Sequence, residues 1–137
     1  MVAAILLSGC ASASRHAQRA NLLAVCELGL AQVESGRGRL ILVAGPHVPE
    51  EVASALSTFR TVIPPEQIPA SDQYVIPQGY FVMQQVSIRG AQASFVGTAG
   101  PHFKHHDLSC GYTYDINLVR GADGVWRISQ PITISMC

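Results

Sequence analysis

Four prolines crowd the stretch from Thr61 to Gly79, at positions 64, 65, 69 and 77. Proline fixes φ, lacks an N–H and pushes the preceding residue out of the α region, so no regular element is expected to persist there. The stretch divides the chain into two parts of different periodicity. Before it, apolar residues recur at helical spacing; after it, they alternate as in strands. The segment itself reads either as a rigid crossover leading to a sheet edge, the simpler choice, or as a rim or binding loop.

In the first part, Leu22, Leu23, Cys26, Leu30 and Val33 predict a helix from Ser14 to about Ser35, with Ser12 or Ser14 as cap and Ser35-Gly36 as its end. Gly36-Arg37-Gly38 reads as a turn, and Leu40 to Ala44 as a short strand bounded by glycines. Pro49 then opens a second helix with Glu50 and Glu51 in its first turn, where the helix dipole favours negative charge. Val52, Leu56 and either Phe59 or Ala55 form its expected inward face.

In the second part, Tyr80–Ile88 and Ala91–Gly97 flank Arg89-Gly90, a short hairpin signal. Gly111–Arg120 and Val125–Ile134 flank Gly121-Ala122-Asp123-Gly124, the clearest hairpin in the chain. Tyr112, Tyr114, Ile116 and Leu118 share one face, so Leu118 is expected opposite Trp126 or Ile128 and not Arg127. By the same alternation Asp115 points away from the two tyrosines. The fold class expected is α+β: an N-terminal helix on a curved antiparallel sheet of about four to five strands, with a second short helix.

The chain has 137 residues, enough for one domain. Hydrophobic residues make up 48% and charged residues 13%, so it can bury a core and is not disordered. Nine basic and nine acidic residues balance, which removes the basic excess that a nucleic-acid partner requires. No apolar run reaches the roughly 18 residues of a spanning helix.

The N-terminal run Val2-Ala3-Ala4-Ile5-Leu6-Leu7 leads directly into Ser8-Gly9-Cys10. Leu7-Ser8-Gly9-Cys10 resembles the lipobox of bacterial lipoproteins. That resemblance implies a signal peptide over residues 1–9, cleavage before Cys10, and acyl chains such as palmitate on its sulfur. Residues 10–15 would form the lipidated cysteine and tether, and 16–137 a single α+β domain. The tether after Cys10 spans at most about 18 Å when extended, which holds the domain beside the bilayer. No Lys or Arg precedes Arg15, whereas a secretory signal opens on positive charge; the true start is therefore expected upstream of Met1. Ala11 stands where an aspartate would imply inner-membrane retention, so a Gram-negative source implies the outer membrane. The expected partner is the membrane, through the anchor, with any protein or small-molecule partner unspecified.

With Cys10 acylated, Cys26, Cys110 and Cys137 remain. Export implies oxidising conditions, hence one bridge and one spare thiol. Three pairings are open. The last hairpin favours Cys110–Cys137, because pairing Leu118 with Ile128 sets Cys110 opposite Met136 and one bulge near Pro131 would align the cysteines. Cys26 then reads as a buried thiol on the first helix.

The order helix, strand, helix, loop and two hairpins resembles the nuclear-transport-factor/ketosteroid-isomerase-like fold, as do Val86-Ser87-Ile88-Arg89-Gly90-Ala91-Gln92-Ala93 and Gly124-Val125-Trp126-Arg127-Ile128. The cystatin-like fold fits nearly as well. The first resemblance implies a cone closed by the N-terminal helix, whose enzymes place an acid or base inside. No residue here matches that position, and fold alone does not carry function.

His102-Phe103-Lys104-His105-His106-Asp107 is the densest group of potential ligands. His102, His105, His106 and Asp107 have the chemistry to hold a transition metal. Pro101 and the positive Lys104 make a solvated loop the simpler reading, with His16 and His47 unassigned. Asp72 with Tyr74, or Asp115 with the tyrosines, are the remaining acid–base candidates. No nucleophile-elbow, Walker or dinucleotide pattern occurs, and no cofactor is called for. The sequence therefore favours a lipid-anchored envelope protein that acts as a binding or interaction module. The alternatives are a small cone-fold enzyme or small-molecule binder, and a metal-binding protein.

Overall fold

A computed structural model describes residues 2–69, 76–100, 111–129 and 132–136, with side chains described from Arg15 onward and through Ile134. The chain is α+β, and its described residues form two α-helices and one seven-stranded sheet. Helix α1 (Val2–Glu34) is followed by β1 (Ile41–Ala44), α2 (Glu50–Leu56), β2 (Val62–Ile63) and a 3-10 turn at Pro65–Gln67. Strands β3 (Tyr80–Arg89), β4 (Gln92–Ala99), β5 (Tyr112–Arg120), β6 (Trp126–Ile128) and β7 (Thr133–Met136) complete it. The strand order is β2-β1-β3-β4-β5-β6, with β7 also on β5. No helix among the described residues is long and apolar enough to cross a membrane.

The sheet departs from expectation in strand number and direction. It is mixed: β1 runs parallel to both β2 and β3, while β3, β4 and β5 form an antiparallel meander. Parallel neighbours need a crossover of a dozen or more residues, and residues 45–61, wound around α2, supply it. Apolar periodicity reveals a strand but carries no sign of its direction, so β1 was legible and its pairing was not. The proline-rich stretch is also less irregular than expected. Val62 and Ile63 precede its first proline and pair with Leu42 and Val43. Pro65 starts the short 3-10 turn, where its fixed φ is compatible.

The meander agrees more closely. Gly90 (φ +60°) and Ala91 form the two-residue turn between Arg89 and Gln92, one residue later than expected, with glycine at the first central position that a positive φ favours. Leu118 pairs with Ile128. Beyond that, the single expected strand Val125–Ile134 is two strands. From Leu118↔Ile128 to Tyr114↔Ile134, β5 advances by four residues and its partner by six. The slip is thus two residues, not the one-residue bulge expected near Pro131. A two-residue slip preserves the alternation of faces. Helix α1 likewise begins earlier than the expected Ser14.

One apolar core lies between the helices and one face of the sheet. Leu22, Val25, Cys26, Leu30 and Val33 of α1 are buried against Phe81, Phe95, Ile116 and Leu118. From α2, Val52, Ala55 and Leu56 turn inward, whereas Phe59 is 45% exposed. Alanine therefore completes the inward face of α2. Packing is close where α1 crosses β4: a Cβ built on Gly29 would collide with the Phe95 ring, so the ring occupies space that only glycine leaves open. Phe81 and Phe95 stack with centroids 5.8 Å apart.

Candidate functional site

A cleft of about 680 Å³ opens where α1 leaves the sheet. The Gln18, Asn21 and Leu22 side of α1 forms one wall, and Pro49, Glu50 and Glu51 at the start of α2 form another. Val86, Ile88 and Gly90 of the β3–β4 hairpin and Arg120 at the end of β5 complete it. Leu22 and Val86 are buried core residues and give the cleft an apolar floor. Its cation is held from behind. The Arg120 guanidinium lies 5.6 Å from the centroid of the Trp126 ring, and the Trp126 indole N–H donates to Asn21 Oδ1 at 2.9 Å. Helix, tryptophan and arginine are thus linked in series.

A second arginine has been absorbed into the structure. Arg37, from the glycine turn after α1, donates from Nε to Tyr114 Oη at 3.1 Å and from Nη1 to the Gly100 carbonyl at 3.0 Å. Its guanidinium sits 4.9 Å from the Tyr112 ring centroid and 5.7 Å from that of Tyr114. This clamp ties the end of α1 to β4 and β5. The sequence marked the position only as a turn, because the cation–π partners lie more than seventy residues away.

Part of the sheet face turned from the helices is polar. Gln85, Ser87, Ser94, Asn117 and Ser129, with Arg89, line a shallow groove of about 560 Å³. Ser87 pairs with Ser94, and Ser94 with Asn117, so hydroxyl and amide groups form one row across the strands. None of these residues was singled out from sequence for chemistry, since neutral polar residues alternating with apolar ones are what any solvated sheet face shows.

The residues proposed from sequence divide between undescribed and described positions. Cys110, Cys137, His102, His105, His106, Asp107, Asp72 and Tyr74 lie outside the described residues, as does the side chain of Cys10. His16 and His47 are exposed on separate elements. Among the described residues no group of three or more His, Cys, Asp or Glu side chains is placed to hold a metal. Asp115 is exposed and Tyr114 buried, on opposite faces as alternation requires, so they cannot share one proton-transfer site. Cys26 is a free, fully buried thiol. Burial, and secondarily the neighbouring Glu27 charge, pushes it up to about 12, which removes it as a nucleophile.

Comparison with protein-family models, with curated proteins and with solved structures returned no match.

Proposed function

We propose that the protein is a lipid-anchored binding module of the bacterial envelope, tethered through acylated Cys10 and acting through its surface clefts. The anchor rests on Leu7-Ser8-Gly9-Cys10 behind an apolar run; export implies one bridge, and the burial of Cys26 as a free thiol leaves Cys110 and Cys137 as the proposed pair. One observation carries binding over catalysis. The space between α1 and the sheet, where a cone-shaped enzyme would hold its acid or base, is filled by Val25, Cys26, Leu30, Phe81, Phe95 and Ile116. Among the described residues no Asp, Glu, His, Lys or Arg side chain belongs to this core.

The test is Cys10→Ser in a bacterial host. The variant is expected to leave the membrane fraction. The intact mass of the parent, extracted without reductant, is expected to begin at Cys10 and to show acyl chains and one disulfide. A Cys10→Ser protein that stays with the membrane overturns the anchor.

A further inference from the structure

The arginines of this chain differ in how fully they are engaged. Arg37, Arg39, Arg60 and Arg127 each donate from the guanidinium to an oxygen. Arg120, like Arg15, Arg19 and Arg89, does not; what sets Arg120 apart among the described residues is that its guanidinium meets the face of Trp126. That ring is fixed by Asn21, so the cation is oriented by stacking while its N–H donors remain uncommitted. A stacked guanidinium keeps its planar fork available to a carboxylate.

Glu50 and Glu51, at the start of α2, line the same cleft. Neither forms an ion pair with Arg120 or with any other described residue, since the ion pairs found join Arg60 to Glu34 and Arg127 to Asp123. The cleft therefore keeps an uncommitted cation and two uncommitted carboxylates on separate walls. Between them lie the apolar side chains of Leu22, Val86 and Ile88 and the amides of Gln18 and Asn21. Its volume falls within the range of small-molecule sites.

We infer that this cleft is a binding site for a short zwitterionic peptide with an apolar side chain. The carboxylate end meets Arg120, the ammonium end meets Glu50 and Glu51, and the apolar body covers Leu22, Val86 and Ile88. Opposite charges on the two walls select a ligand carrying both, and reject one carrying either charge alone. The inference deepens the binding part of the proposed function and does not depend on the lipid anchor.

Calorimetric titration of the full chain in detergent micelles tests it, with the dipeptide Leu-Leu, its C-terminal amide and its N-acetyl derivative as probes. Leu-Leu is expected to bind saturably. Arg120→Gln is expected to weaken it about tenfold while leaving the already weak amide unchanged. Glu50→Gln with Glu51→Gln, both exposed, is expected to weaken Leu-Leu similarly and leave the N-acetyl derivative unchanged. No saturable binding of Leu-Leu, or equal binding of all three probes, overturns the inference. So does equal loss of every probe in the variants. Because detergent micelles disperse the chain whether or not Cys10 carries lipid, each of these failures leaves the membrane-fractionation result standing.

Discussion

Removing the Glu34 carboxylate is expected to be among the costliest single polar changes in this chain. Glu34 ends α1 and accepts three hydrogen bonds: from Arg60 Nη1 at 2.9 Å, from Arg60 Nη2 at 2.5 Å and from the Leu40 N–H at 2.6 Å. The two side chains are only 16% and 10% exposed. Arg60 also donates to the Leu40 carbonyl at 3.2 Å, and its buried Nε already lacks an acceptor. Glu34→Ala therefore strands a nearly buried guanidinium and a backbone N–H together. Breaking a fully buried pair costs ~3–5 kcal/mol; the residual exposure here places the loss at about 2–3 kcal/mol. With an m-value of about 1–3 kcal/mol/M, the urea midpoint is expected to fall by roughly 0.7–3 M. Asp123→Asn is the internal control. Asp123 is held at about 2, chiefly by its hydrogen bond from Arg127, but that pair is 51% and 58% exposed. Water and salt screen it, so its removal is expected to leave the midpoint unchanged. Glu34→Leu with Arg60→Met, which removes both charges, is expected to recover most of the loss. The reasoning fails if Glu34→Ala moves the midpoint no further than Asp123→Asn.

Cys26 is expected to resist a thiol reagent at pH 8 in the folded protein and to react only after denaturation; prompt labelling of the native chain would show that α1 does not cover it. Its raised pKa also sets a sign. The folded state holds the thiol proton more tightly than the unfolded chain, so stability from this group is complete below the ordinary value of 9.0 and declines as pH rises toward about 12. Gly29→Ala is expected to destabilise by about 1–3 kcal/mol although alanine is the better helix former by about 1 kcal/mol, because its methyl group meets Phe95. The loss should shrink in a Phe95→Leu background, and a Gly29→Ala protein that melts higher than its parent would contradict the α1–β4 packing.

The β-meander was largely readable because two independent local signals coincide in it. Apolar alternation in β4 and β5 fixes which side chains face α1, and glycine marks the turns; together they narrowed the partner of Leu118 to Trp126 or Ile128, and it is Ile128. Helix α1 was legible for the same reason, through the spacing of Leu22, Cys26, Leu30 and Val33. The polar connections were not. Arg37 with Tyr112 and Tyr114, Glu34 with Arg60, and Asn21 with Trp126 join residues across 75 or 77, 26 and 105 positions. Nothing in a local pattern marks such partners, because each polar residue taken alone fits a solvated surface equally well.

The parallel pairing of β1 is where the missed topology matters for binding. Had β1 joined an all-antiparallel sheet through a tight hairpin, residues 45–61 would not need to cross the helical face. Because β2 returns parallel to β1, the chain must travel back over the sheet, and it does so as α2 packed beside α1. That return brings Pro49, Glu50 and Glu51 to the cleft that Gln18, Asn21 and Arg120 also line. The acidic wall of the cleft is thus a consequence of strand direction. Two substitutions separate it from its alternative role: if Glu50 and Glu51 served only the dipole of α2, replacing both with glutamine would lower stability slightly and leave peptide affinity untouched. If they form the wall, affinity falls while the far end of the sheet, measured by hydrogen exchange of β5 near Tyr114, is unaffected.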